Sequence, residues 1–474
     1  MLLACSRSRN LVLCLAVLIC LALPARRAGA QGRTVHINWY KSPLADQLQL
    51  LANTYAQEHP GIAIAIDEVP QSQWYSNNFG QFARHKTNFA AMVMASQWLG
   101  EAVTKGYVRE LSGWLQRNVN IQDFYPFLLA AYSQYPQRLA GQTGSLSPAR
   151  GHFWGIPWQG DAMGFAYRKD LFADPANQRA FQARYHHPLA VPQSMDEIVE
   201  IADFFTHPAQ RRYGIALYQQ ADGGAAAESF NAWCWNYGGD LWDAGNGQVP
   251  GVVNGPRCVH ALALLDHLTL ADSPPSMRQG GSAEAVQAMS GGSVAMLQGW
   301  WGGMSGLFDP ARSSLGQSQS QIGQRLGFFN LPGETYQGST SRWTPLGGDG
   351  LAISAYAPAA DQAEVLDFAR WFLTPEVQTL WYQAGGGTVS KSVLSSQDFQ
   401  GAEPWYPLVG ESYTLIKDFW NIPEFSRMLP VLTDTIHDSM LGRIAPQPAL
   451  DAVARAQAAI LRATRAYPYY GTTG

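Results

Sequence analysis

The sequence predicts an α/β protein built as two lobes. Three observations carry this expectation. The chain of 474 residues is longer than one hydrophobic core usually organises. Strand and helix patterns alternate along it, which argues for mixed α/β layers. Glycine- and serine-rich loops, notably 141–147, 279–282 and 313–320, punctuate those patterns.

Residues 35–39 (VHINW) read as a first strand. Residues 45–59 read as a helix with Leu48, Leu51, Ala52 and Tyr55 on one face. Pro60-Gly61 stops it, and 62–66 form a second strand, so the chain opens β–α–β. Further helices are expected at 194–205, 256–270, 359–373 and 447–466, and a strand at 293–297. The Gln/Ser run 317–321 reads as an exposed loop.

The first thirty residues read as an export signal. Arg7 and Arg9 form a basic start, Leu11 to Leu23 an apolar stretch, and Ala28-Gly29-Ala30 a small-residue cleavage site before Gln31. The apolar stretch is short for a membrane span. Leu2-Leu3-Ala4-Cys5 lacks a preceding apolar stretch, and Ile19 precedes Cys20, so neither cysteine suits a lipid anchor. The expected mature protein is periplasmic. Loss of four unmatched arginines would take the net charge from −4 to about −8. That balance offers nucleic acid no general attraction. Cys5, Cys14 and Cys20 leave with the signal. Cys234 and Cys258 remain, as a disulfide worth about 3–4 kcal/mol or as two buried thiols.

Several ordered motifs resemble family 1 extracellular solute-binding proteins, the group that includes maltose- and polyol-binding proteins of ABC importers. Ile37-Asn38-Trp39-Tyr40-Lys41 and Glu58-His59-Pro60-Gly61-Ile62 are similar to the family's opening. Gly106-Tyr107-Val108-Arg109-Glu110-Leu111 ends its next unit. Gly155-Ile156-Pro157 and Tyr167-Arg168-Lys169-Asp170 resemble the first crossing between lobes. Pro192-Gln193-Ser194-Met195-Asp196-Glu197 resembles a helix start in the second lobe. Ser290 to Met296 followed by Gly299-Trp300-Trp301, then Leu346 to Ile353, and Pro446 to Asp451, complete the order.

The resemblance implies a type II periplasmic-binding-protein-like fold, with a ligand cleft between lobes that close by hinge motion. It divides the chain into a signal (1–30), a first-lobe segment (31–157) and a second-lobe segment (158–297). A return segment with first-lobe contacts (298–346) and a C-terminal helical segment mostly in the second lobe (347–474) follow. It implies a sugar or polyol ligand, ABC permease subunits as partners, a monomer and no cofactor or metal.

It also implies site residues. Trp301 matches a sugar-stacking tryptophan, and Trp300 stands beside it; the alternative for both is packing between lobes. Asp161 matches a carboxylate that binds sugar hydroxyls; the alternative is a helix cap or lobe contact. Lys41 matches a ligand-contacting lysine, while Tyr40 replaces the acid beside it. Gln97 and Trp98 occupy the second ligand loop, where maltose-binding relatives carry charges. Gly348 and Asp349 mark the second crossing. Trp233 and Trp235 lie in a segment that lines the cleft in relatives, with core packing as the alternative. Leu429 stands where maltose binders place another ring, and Trp405 and Trp420 are rim candidates.

No Gly-x-Ser-x-Gly, His-Glu-x-x-His, Gly-x-x-x-x-Gly-Lys or Cys-x-x-Cys is present. His186-His187 reads as a solvated turn. Carboxylates distant in sequence leave open a secreted carbohydrate-active enzyme, recognised by turnover. A sensor presenting the closed form to a receptor is the third reading, recognised by signalling without uptake.

Overall fold

The computed structural model describes residues 32–136, 152–243 and 247–464. The expected signal at 1–30 and the loop at 141–147 lie outside these residues.

Nine strands form the main sheet: β1 (Arg33–Tyr40), β2 (Ile62–Val69), β3 (Ala91–Met94), β4 (Ile156–Arg168), β5 (Tyr213–Ala216), β6 (Val294–Trp300), β7 (Leu326–Asn330), β8 (Thr344–Ile353) and β9 (Ile416–Lys417). Their order is β2-β1-β3-β8-β4-β6-β5, with β9 beside β8 and β7 beside β4. β1 and β2 run parallel around the helix Pro43–Glu58, which is the expected β–α–β opening. Ser42 starts that helix by accepting a bond from the Ala45 amide. Leu48, Leu51, Ala52 and Tyr55 face the core as their spacing requires.

Two long antiparallel strands join the lobes. β4 begins beside β8 next to β3, in the first lobe. Its second half, Met163 to Arg168, pairs with β6 and β7 in the second lobe. It is buried along almost its whole length, Gln159 and Arg168 included; only Asp161 and Tyr167 keep appreciable exposure. The β4–β8 register shifts between Asp349 and Gly350.

Two of the expected segments, 298–346 and 347–474, can be followed through their packing contacts. Residues 298–346 stay with the second lobe: the turn Trp301–Phe308 packs on the helix Ser282–Ser290 and on β4, and β7 pairs with the second-lobe half of β4. The segment 347–474 is shared. Helices Ala359–Phe372 and Pro375–Gln383 pack on the first lobe, where Phe368 meets Tyr55 and Phe372 stacks on Trp158. Helices Phe425–Met440 and Pro446–Ala463 pack in the second lobe against Ala225–Asn236 and Pro256–His267. An amphipathic pattern specifies a buried face, not which sheet receives it. The Gln/Ser run also differs from a plain loop, because Ser318 caps a helix, Gln319–Arg325.

Cys234 and Cys258 form a disulfide between helices Ala225–Asn236 and Pro256–His267, with Cα atoms 4.6 Å apart. Among the described residues, no helix is long and apolar enough to cross a membrane.

Candidate functional site

The crossing strands aim two carboxylates the same way. Asp161 on β4 stands opposite Gly347 on β8, and Asp349 lies two residues further along β8, on the same face. The indole of Trp300 lies against Gly347, where a Cβ would come within 2.8 Å of the ring. Gly348 has φ +75°, and a Cβ there would sit 2.0 Å from the Gln159 carbonyl, so glycine is required. Asp349 Oδ2 accepts a 3.3 Å bond from Trp39 Nε1.

The first lobe adds aromatic rings. Tyr40, at the end of β1, packs on Trp74 (4.8 Å), which meets Trp98 edge-on (4.5 Å). Trp74 Nε1 is buried with no hydrogen-bond partner. Lys41, one residue beyond the strand, is exposed, and Gln97 is partly so.

The second lobe adds the helix Ala225–Asn236. Glu228, Asn231 and Trp235 are spaced i, i+3, i+7 and share a face. Asn231 is only 1% exposed, yet neither its amide oxygen nor its nitrogen has a partner. Trp235 Nε1 is equally unpaired. Lys417 lies 5.3 Å from the centre of the Trp235 ring and is tied to Asp240 at 2.7 Å. Next to it, Asp418 is buried near Ser96 of the first lobe; its Oδ1 accepts from the Phe419 amide (2.7 Å) and its Oδ2 is unpaired.

These carboxylates perturb one another. Burial pushes Asp161 up to about 7, against hydrogen bonds from the Ala162, Gly302 and Trp301 amides that favour its charged form. Burial pushes Glu228 up to about 8, with the charges of Asp161 and Asp418 adding to the shift. Asp349 and Asp418 each rise to about 7, chiefly through burial. Burial also raises Tyr40 strongly, helped by Asp349, Asp161 and Glu228. Four acids from four chain segments therefore converge between the lobes.

The lobes meet around this cluster. The Gly100 amide donates to Asn421 Oδ1 (2.6 Å), and Ser426 donates to Glu101 Oε2 (2.5 Å). The turn Ser96–Trp98 touches the helix Phe425–Met440, and Gln71–Gln73 touches Asp222–Gly224. Leu429 packs near Gly224.

Several residues named from the sequence sit elsewhere. Trp301 is 3% exposed; its Nε1 donates to Ser412 (2.8 Å), and its ring fills the space over Gly164. It is buried, and it lines a small cavity together with Asp161, Gly160, Trp405 and Tyr413. The reason is strand length: β6 runs on through Trp300, so Trp300 points one way and Trp301 opens the next turn. Asp161 caps that turn, accepting from the Gly302 amide at 3.2 Å. Trp233 is fully buried and donates to Gln298 (3.0 Å), as core packing predicts. Trp98 is wedged among Trp74, Tyr75 and Phe79. Trp405 and Trp420 are not at a rim: both are buried, Trp405 near Phe308 and Phe328, and Trp420 stacked on Trp242. His187 is paired with Glu200 (2.7 Å).

Sequence reasoning missed Glu228, Asn231, Asp418 and Trp74. The signal available for the first two was a polar pair at helical spacing within an otherwise apolar helix.

The model of the family described as bacterial extracellular solute-binding protein matches residues 41–379. This chain belongs to that family. An erythritol/L-threitol-binding protein of Mycolicibacterium smegmatis is 23% identical over 192 residues, 40% of this chain and 37% of that relative's length. A probable amino-acid ABC transporter periplasmic-binding protein of Sinorhizobium fredii is 22% identical over 74% of this chain and 72% of its own. Among solved structures, an ABC transporter solute-binding protein from Agrobacterium radiobacter K84 in complex with ribitol superposes with TM-score 0.74. It shares 23% identity, with 90% of this chain and 98% of that chain covered. The solute-binding family's two-lobed α/β fold thus accounts for the described architecture.

Proposed function

We propose that this solute-binding protein captures a polyol or small sugar between its lobes and delivers it to the permease of an ABC importer. The observation that carries the reading is the set of unpaired polar groups around the cleft. Asn231 offers an unused donor and acceptor, Trp74 and Trp235 offer unused N–H groups, and Asp418 an unused oxygen. Each unpaired buried group costs ~1–3 kcal/mol. A chain of hydroxyls both donates and accepts, so one polyol satisfies several of them together. Its C–H faces suit the rings of Tyr40, Trp74 and Trp300. The polyols named for two of the relatives have this chemistry.

On this reading Tyr40, Asp161, Trp235, Trp300 and Asp349 line the ligand, joined by Glu228, Asn231 and Asp418. Lys41 and Gln97 stand at the mouth. Trp98 and Trp233 hold the walls in place, and Gly348 permits the crossing. The protein acts as a periplasmic monomer after cleavage behind Ala30.

A thermal-shift screen of alditols, aldoses and disaccharides, with amino acids as a contrasting set, is the test. A true ligand at ~100 times its dissociation constant adds about 2.7 kcal/mol. One polyol or sugar per chain, recovered chemically unchanged, is expected. Binding by amino acids alone, or turnover of the sugar, overturns the proposal.

A further inference from the structure

A second cluster lies in the second lobe, away from the cleft. Asp203 comes from the helix Met195–Phe205. His267 ends the helix Pro256–His267, and the chain then widens into a π-helical turn, Leu268–Asp272. Such turns occur often at functional sites. The turn carries Asp272 back beneath the imidazole.

The donor atoms converge. His267 Nε2 lies 2.9 Å from Asp203 Oδ1 and 3.3 Å from Asp272 Oδ2, and all three lie within 4.8 Å of one another. A ring nitrogen carries one hydrogen at most. The bond to Asp203 uses it. Asp272 Oδ2 is then left without a hydrogen-bond partner although its side chain is only 2% exposed. Hydrogen bonding alone therefore leaves one buried carboxylate oxygen unserved.

We propose that Asp203, His267 and Asp272 form a divalent-cation site suited to zinc. A single cation in place of the shared proton serves all three donors at once. Zinc takes nitrogen and oxygen ligands at about 2.0–2.2 Å with tetrahedral angles, which puts ligands about 3.3–3.5 Å apart. The His267–Asp272 separation already has that value, and the His267–Asp203 separation needs to open by only a few tenths of an ångström. Calcium requires six to eight oxygens and magnesium an octahedron of oxygens, which an imidazole and two carboxylates do not supply. The side chains of His267 (45% exposed) and Asp203 (33%) leave an approach from solvent and room for a water as fourth ligand. The ion would clamp the helix Met195–Phe205 to the end of the helix Pro256–His267, independently of what the cleft holds.

The test is calorimetric titration of untagged, chelator-stripped protein with zinc chloride, alongside its thermal unfolding. One zinc per chain is expected, with a rise in unfolding temperature. His267→Gln and Asp272→Asn should each weaken zinc at least tenfold and abolish the rise. Because Asp272 is buried, Asp203→Asn, at a partly exposed position, provides a third variant, with circular dichroism as its folding control. His187→Gln, which removes the separate pair with Glu200, should leave zinc binding unchanged. Absence of saturable binding overturns the proposal, as does wild-type affinity in His267→Gln and Asp203→Asn, or loss of the bound zinc in His187→Gln alone.

Discussion

Trp301→Ala separates two roles that the sequence left open for one ring. The indole is buried over Gly164, where a Cβ would come within 1.9 Å of Cζ2, and its N–H is bound to Ser412. Removing it deletes a large apolar group from a packed region, leaves a cavity and loses a buried hydrogen bond. Core tryptophan truncations of this kind cost about 3–5 kcal/mol. For a chain this size the urea dependence exceeds about 3 kcal/mol/M, so the unfolding midpoint should fall by up to ~1–1.7 M. Trp300→Ala should destabilise far less, because that ring keeps part of its surface open. The assay is urea unfolding of both variants, paired with calorimetry against the ligand found by screening. Trp300→Ala should lose affinity while Trp301→Ala loses stability. An unchanged midpoint for Trp301→Ala together with a tenfold loss of affinity would refute the packing argument and restore the stacking role.

Two further outcomes follow from the cleft and the bridge. The acids of the cleft have folded-state values near 7–8, above their unfolded values near 4. Between those limits the folded state holds protons that the unfolded state has released, so stability falls as pH rises from about 4 to 8. Thermal unfolding across that range should show the decline, and Glu228→Gln with Asp418→Asn should flatten it; parallel curves would count against the cluster. Cys234→Ser with Cys258→Ser removes a bridge between residues 24 apart and should cost about 3–4 kcal/mol, read by chemical unfolding beside the reduced wild type. Equal stability of bridged and unbridged protein would contradict it.

Much of this fold was legible because local signals and burial agree. The opening β–α–β unit has period-2 and period-3.6 patterns bounded by Ser42 and by Pro60-Gly61, and each boundary does structural work. The motifs around Asp161 and Asp349 made the two crossing strands legible, and those strands pair where expected. The burial of Trp301 was not legible because a strand end cannot be read to the residue. Three more residues of β6 decide which of two adjacent indoles ends the strand and which opens the next turn. Glu228 and Asn231 were hidden within AAAESFNAWCWN, where small and aromatic residues dominate and the polar pair looks incidental. Asp418 is a lone acid after a two-residue strand; only its proximity to Ser96, more than 300 residues earlier, gives it meaning. Contacts between lobes leave no periodic trace in either segment.

Those contacts explain how a ligand would govern closure. Gly100–Asn421 and Ser426–Glu101 both bond across the lobes, so the closed arrangement has support of its own. Opposing it are four acids drawn together and several buried groups without partners. A ligand shifts a two-state equilibrium only through interactions that differ between the states. Hydroxyls placed between Asn231, Asp418 and Trp235 improve the closed state specifically, because opening separates the second-lobe helix from the rings of Tyr40 and Trp74 and hydrates both sides. On the proposed reading, the polar deficit at the centre of the cleft would couple ligand capture to lobe closure. The bonds at its periphery set how little additional stabilisation the ligand must supply.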